Sequence, residues 1–181
     1  MITLICGPMY SGKSTMLVQK MERYIYAKKN ICLIRPKKDD RGYFTHNGVD
    51  NIKSVLKEND GYFEINEFTD LNDFSKYSAI FVDEYFMIKN CKLLCSLLDT
   101  DIYFAGLLAS SENKLFTEAE QILPYCDEIF KLNGVCVEDG SQYGNYSGYF
   151  GTAKKTSEIL VGDTAYKCLC RKCYLKAFGK I

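Results

Sequence analysis

The residues with the types and spacing to do chemistry begin at Gly7-Pro8-Met9-Tyr10-Ser11-Gly12-Lys13-Ser14, a G-x-x-x-x-G-K-S pattern. Its glycines let the backbone wrap until successive N–H groups point at phosphate oxygens. Lys13 has the reach for β- and γ-phosphates, and the Ser14 hydroxyl can ligate Mg²⁺. A nucleoside triphosphate is the ligand this pattern predicts. The next candidates are Asp83 and Glu84, which close the apolar run Ala79-Ile80-Phe81-Val82. A carboxylate at a strand's carboxyl end can help hold Mg²⁺, mostly through water, and its neighbour can act as general base toward an incoming hydroxyl. Alone, such a pair reads equally as a solvated strand end; the phosphate-loop pattern upstream favours the functional reading.

A further group lies near the C-terminus. Cys170 and Cys173 form C-x-x-C, a thiolate pair suited to tetrahedral Zn²⁺, while Cys136 and Asp139 form an incomplete C-x-x-D counterpart. Asp139 could supply an oxygen ligand, Cys168 could substitute for it, or the cysteines could be ordinary reduced thiols. Zinc bound there would be structural. The only histidine, His46, sits in the turn signal Thr45-His46-Asn47-Gly48, where a structural role is the commoner one.

These groups need a scaffold to position them. Ile2 to Cys6 is an apolar run of strand formers, and Thr15 to Tyr24 has helical composition. With Ile31 to Ile34 as a second strand, ended by Arg35-Pro36, they make a βαβ unit and hence imply a parallel sheet. Further strands are predicted at Gly61 to Ile65, Ala79 to Glu84, Asp101 to Leu108 and Glu128 to Leu132. Helices are predicted over Asp70 to Lys76, Lys89 to Leu98, and Leu115 to Leu123, the last stopping at Pro124. Gly140 to Gly151 is rich in Gly, Ser, Asn and Tyr and reads as an extended or hairpin-like segment that could close over a ligand. The chain thus divides into an α/β nucleotide-binding domain over residues 1–134 and a smaller unit over 135–181.

Composition narrows the function classes. The 181 residues are 47% hydrophobic, enough for a core, and 23 basic residues balance 23 acidic ones. No basic surplus is available to hold a nucleic acid. The N-terminus runs straight into the first strand, and no apolar run approaches membrane-spanning length, so a soluble, cytoplasmic protein is expected. Nine cysteines, an odd number with several in apolar segments (Cys6, Cys32, Cys95), argue against a secreted disulfide framework.

Taken in order along nearly the whole chain, these features resemble the type II thymidine kinases. The resemblance rests on Gly7-Pro8-Met9-Tyr10-Ser11-Gly12-Lys13-Ser14-Thr15 and is supported by Lys38-Asp39-Asp40-Arg41, Thr45-His46, Asp83-Glu84, Val161-Gly162, Tyr166 and the Cys170/Cys173 pair. It implies a RecA-like phosphate-loop core with a mainly parallel sheet, plus a small zinc-ribbon-like lasso and zinc subdomain. It also implies transfer of the ATP γ-phosphate to the 5′-hydroxyl of thymidine with Mg²⁺, and a homotetramer. On this resemblance the loop from Gly7 to Ser14 and Asp83 would serve ATP and Mg²⁺, and Glu84 would be the base. Met9, Asp39, Arg41, Met87, Leu107, Phe116 and Tyr166 would surround the nucleoside, and Cys136, Asp139, Cys170 and Cys173 would hold structural Zn²⁺.

The departures from the family pattern fall mainly in the nucleoside pocket. Phe86 stands where a glutamine is usual and Met87 where an aromatic is usual. Leu108 to Ser111 lack a second pocket aromatic, Phe150 replaces an arginine, and Asp139 replaces a cysteine. The donor machinery is retained, so the alternative to a thymidine kinase is a nucleotide-binding homologue with impaired catalysis and a regulatory or assembly role.

Overall fold

The strand-forming runs assemble into one sheet. The computed structural model describes residues 1–37, 56, 61–151 and 165–179. Asp39, Arg41, Thr45, His46, Val161 and Gly162 lie outside these. The strands are β1 (Ile2–Cys6), β2 (Ile31–Pro36), β3 (Tyr62–Ile65), β4 (Ala79–Asp83), β5 (Asp101–Gly106) and β6 (Glu128–Lys131). Their order is β3-β2-β4-β5-β1-β6, and every neighbouring pair is parallel. This is the α/β, mostly parallel architecture expected of a RecA-like core. A parallel sheet has both faces covered, which is why β1, β2 and β4 read as continuous apolar runs.

Alternate residues of each strand point to opposite faces, and two cores result. On one face helix α1 (Lys13–Tyr26) buries Leu17, Val18 and Met21 against Ile5, Leu33, Phe81, Tyr103 and Ala105. Phe81 and Tyr103 stack there, with centroids 4.7 Å apart. On the other face Leu4, Cys6, Ile34, Val82 and Phe104 meet Tyr85, Phe86, Phe116, and Ala119 and Ile122 of helix α2 (Thr117–Ile122). Each fully buried Leu, Ile or Phe contributes about 1.5–3 kcal/mol by removal from water, so the two faces, not local helix propensity, hold α1 and α2 in place.

The short predicted helices come out differently. Residues 72–76, within the helix expected over Asp70 to Lys76, form consecutive turns. Asp70 Oδ1 accepts from the Asn72 N–H at 3.1 Å, an Asx turn that competes with helix nucleation. Phe74 then drops into the core against Phe63 and Phe68. The helix expected over Lys89 to Leu98 is a 3₁₀ helix over Cys91–Ser96. Its buried residues are Cys91 and Leu94, and their spacing of three matches the tighter 3₁₀ period. The third helix, α2, begins at Thr117 rather than Leu115 and ends at Ile122, before Pro124, and a 3₁₀ turn, Leu123–Tyr125, carries the chain through the proline. Strand β4 ends at Asp83 rather than Glu84, and β5 at Gly106 rather than Leu108.

Past the sheet, β7 (Tyr146–Tyr149) and β8 (Tyr166–Leu169) pair antiparallel, and helix α3 (Arg171–Phe178) follows. They carry a separate small apolar cluster of Cys136, Leu169, Cys170 and Tyr174. Tyr146 stacks on Tyr174 at 4.9 Å and Tyr174 meets Phe178 in a tilted contact at 4.8 Å, holding α3 to β7. Among the described residues no helix is long and apolar enough to cross a membrane.

Candidate active site

The phosphate loop follows β1 directly and ends at Gly12, the residue before α1. Gly12 has φ 83°, a conformation that favours glycine. At Gly7 the constraint is space: a Cβ would sit 2.6 Å from both the Leu132 carbonyl oxygen and Ser11 Oγ. Tyr10, exposed at the loop tip, also takes a positive φ of 61°. The first helical residue, Lys13, is buried, and its Nζ arches back across the loop to donate to the Pro8 carbonyl at 2.7 Å. Its ammonium therefore lies over the concavity formed by the loop and the N-terminus of α1, where an anion is favoured. Ser11 Oγ is buried without a hydrogen-bond partner among the described residues, so the loop holds a polar group suited to a phosphate oxygen.

Strand β5 separates β1 from β4, so the loop and Asp83 are not neighbours in the sheet. The start of α1 brings them together. Ser14 Oγ donates to Asp83 Oδ1 at 3.3 Å, with Asp83 only 2% exposed. The other carboxylate oxygen, Oδ2, lies 3.6 Å from Nε of Arg35 at the end of β2. Glu84 follows with φ 51° and ψ 44°, a left-handed conformation costing a non-glycine residue about 1–2 kcal/mol. Strain of this kind concentrates at sites where a side chain must be aimed. It turns the chain from β4 into the 3₁₀ turn Tyr85–Met87.

That turn is locked from several sides. Burial raises the pKa of the Tyr85 phenol well above its usual value, and the hydroxyl donates to the Leu107 carbonyl at 3.0 Å. Gly106 admits the turn: a Cβ there would meet the rings of Phe86 and Tyr85 at 3.0 Å. Phe86 stacks on Phe116 with centroids 4.6 Å apart. Phe86 is thus taken up by packing. Met87, Leu107 and Leu108 are partly buried against the same cluster. Met9 is half-buried in the phosphate loop. Tyr166 is half-buried on β8, its ring 5.1 Å from that of Tyr149. Phe150 packs on Phe178 of α3 and beneath the Lys167 ammonium. The Ser111 carbonyl accepts from the Tyr174 hydroxyl at 2.8 Å, tying the loop after β5 to α3.

The cysteine group is brought together across the smaller sheet. Cys136, Asp139, Cys170 and Cys173 place one donor atom each within 4.8 Å of one another. Asp139 Oδ2 accepts from Cys170 Sγ at 3.3 Å and from Cys173 Sγ at 3.4 Å. Hydrogen bonds from Cys136, the Ser141 N–H, Cys170 and Cys173 hold the Asp139 carboxyl well below the usual carboxylate range. Partial burial, with hydrogen bonds to Cys170 and Asp139, pushes the Cys173 thiol up to about 12. Three sulfurs and one oxygen converging in this way fit a tetrahedral zinc ion. Cys168 is not part of the group: its Sγ fills the space between Gly134 and Gly144, where added Cβ atoms would approach it to 2.6 and 2.5 Å. Sequence reasoning missed Arg35, which faces Asp83, and Glu118, whose carboxylate accepts from the Asn90 and Cys91 N–H groups. For Arg35 the available signal was a charge directly after four apolar strand residues.

Comparison with known proteins points to one family. The thymidine kinase family model matches residues 1–174. A thymidine kinase of raccoon poxvirus is 29% identical over 181 residues, covering 96% of each chain. The thymidine kinase of Bacteroides thetaiotaomicron is 29% identical over 187 residues, covering 99% of this chain and 89% of its own. That of Pseudothermotoga lettingae is 31% identical over 186 residues, covering 99% of this chain and 97% of its own.

Proposed function

The chain belongs to the thymidine kinase family, and from that membership we propose that it transfers the γ-phosphate of ATP to the 5′-hydroxyl of thymidine or deoxyuridine. Kinase chemistry, and hence a transferase, follows from the family itself. The observation that carries the finer reading is the 3.3 Å approach of Ser14 Oγ to Asp83 Oδ1, which joins the phosphate loop to the strand end bearing Glu84.

In this reading Gly7, Pro8, Met9, Tyr10, Ser11, Gly12 and Lys13 wrap the triphosphate, with backbone N–H groups and the Lys13 ammonium taking up its charge. Ser14 and Asp83 are the residues that would hold Mg²⁺, which when bound neutralises charge on the phosphates. Glu84 accepts the proton of the 5′-hydroxyl as its oxygen bonds to the γ-phosphorus. The bond from that phosphorus to the bridging oxygen breaks, and ADP leaves with its electron pair. Met9, Met87, Leu107, Phe116 and Tyr166 form the nucleoside side, and Asp39 and Arg41 belong to it on the resemblance alone.

Cys136, Asp139, Cys170 and Cys173 would hold Zn²⁺, which when bound cross-links residues 136–139 to the start of α3. Residues 135–181 would then act as a lasso and zinc subdomain beside the nucleotide-binding domain of residues 1–134. A cytoplasmic homotetramer acting on small molecules, without nucleic acid, completes the proposal.

The test is transfer from γ-labelled ATP to thymidine, deoxyuridine, deoxycytidine and no acceptor. Labelled thymidine monophosphate or deoxyuridine monophosphate is expected. Transfer to none of the nucleosides, with ATP still bound, would favour the impaired homologue, a reading supported by the displacement of Phe86 and Phe150 into packing roles.

A further inference from the structure

Arg35 and Asp83 are each the first charged residue after an unbroken apolar run, on β2 and β4. The two strands pair in parallel with Ile34 opposite Val82, so the next step places Arg35 beside Asp83 on the same face of the sheet. Both side chains are buried, at 4% and 3% exposure. The separation from Nε to Oδ2, 3.6 Å, is that of an ion pair rather than a hydrogen bond. On the neighbouring strand β3 Arg35 lies in register with Glu64, and Tyr62, two residues earlier, shares that face. The Tyr62 hydroxyl in turn donates to Glu64 Oε1 at 2.6 Å. A row of polar residues therefore runs from Tyr62 and Glu64 on the edge strand across Arg35 and Asp83 to Ser14 in the phosphate loop.

Stability does not account for this arrangement. Removing two charges from water costs several kcal/mol per ion, and apolar residues of similar volume often serve a fold as well or better. The pair sits instead at the carboxyl ends of the strands, where open α/β sheets bind their ligands. We propose that Arg35 is a positioning residue for the metal–triphosphate. It engages one oxygen of Asp83 and so holds the other toward Ser14 and the phosphate loop. The proposal rests on the reading that Ser14 and Asp83 hold the Mg²⁺ of Mg·ATP. Arginine suits the task because its planar fork can face Asp83 and the β3 side together, whereas a lysine is a single flexible point charge.

Calorimetric titration of the full chain with ATP, once with Mg²⁺ and once with EDTA, tests it. The readout is the ratio of the two dissociation constants, with urea unfolding confirming that each variant is folded. The unsubstituted chain should prefer Mg·ATP, and Asp83→Asn should abolish the preference. Arg35→Lys should reduce it about 10-fold, the scale for residues that orient metal ligands. Tyr62→Phe, which leaves the buried charges in place, should reduce it in the same direction and decides the matter if Arg35→Lys does not fold. In the Asp83→Asn background Arg35→Lys should have no further effect, because Arg35 acts through that carboxylate. Unchanged preference in both Arg35→Lys and Tyr62→Phe, or full additivity with Asp83→Asn, would overturn the proposal. No preference in the unsubstituted chain, or one insensitive to Asp83→Asn, would remove the underlying reading of Ser14 and Asp83 instead.

Discussion

Glu118 offers a sharp test of how the proposed acceptor side of the candidate site is held. It lies in α2, only 9% exposed, and its carboxylate caps a separate segment of chain. Oε1 accepts from the Asn90 N–H at 3.2 Å and Oε2 from the Cys91 N–H at 2.9 Å. Both donors belong to the start of a 3₁₀ helix, with Asn90 strained at φ 63°. A hydrogen bond to a charged group contributes about 1.5–3 kcal/mol. Two would contribute about 3–6 kcal/mol, less what water at the partly open edge can replace. Glu118→Ala should therefore cost about 2–4 kcal/mol, a large share of the 5–15 kcal/mol typical of a domain. Glu118→Gln keeps one acceptor oxygen but turns an amide N–H toward a donor, so at least half of that loss, about 1–2 kcal/mol, should remain. Urea unfolding measures this as a shift in midpoint at constant slope. The function should follow, because the Cys91 thiol donates to the carbonyls of Ile88 and Tyr85 at 3.1 and 3.4 Å and so steadies the turn beyond Glu84. A raised KM for the nucleoside with Mg·ATP affinity little changed is expected. If Glu118→Ala unfolds within about 0.5 kcal/mol of the unsubstituted chain, the ordinary range for surface changes, the capping argument is wrong.

Three further outcomes are expected. Glu84→Gln should leave ATP binding near normal and slow single-turnover transfer about 10²–10⁴-fold, the scale of a general base; near-normal turnover would remove Glu84 from that role. Elemental analysis of the purified chain should find about one zinc per chain, and Asp139→Ala should lower zinc retention against a chelator while Asp139→Cys raises it; equal retention in all three would exclude Asp139 as a ligand. At Asp101, burial raises the carboxyl pKa, but hydrogen bonds from Tyr24 at 2.6 Å and the N-terminal ammonium at 2.9 Å outweigh it and leave the pKa lowered. A lowered folded pKa stabilises fully above the unfolded value of about 3.9 and is lost as pH falls through the folded one. Asp101→Asn should therefore destabilise the chain near neutral pH and converge with it in strong acid. Parallel stability profiles across that range would refute the assignment.

Much of the site was legible because its signals are local. The phosphate loop needs glycines, a lysine and a hydroxyl at short spacing, and Gly7, Gly12, Lys13 and Ser14 carry that regardless of the remaining chain. The apolar runs likewise announced β1, β2, β4 and β5, since a strand covered on both faces must be apolar throughout. The short helices were misread for the opposite reason. Composition over seven to ten residues is a weak signal, and the choice between turn and 3₁₀ helix at residues 70–76 and 91–96 fell to where Phe74, Cys91 and Leu94 could be buried.

The sequence by itself determined the phosphate-loop pattern, the carboxylates that close β4 and the class of sheet that bears them, because those features are written in contiguous residues. Tertiary structure alone decided the pairings. It selected Asp139 over Cys168 for the cysteine group, since Cys168 is committed to the gap between Gly134 and Gly144. It placed Arg35 against Asp83 through strand register, and Glu118 against Asn90 and Cys91 through the seating of α2. Such contacts join residues far apart in the chain, and only the packing of one element on another brings their charges within reach.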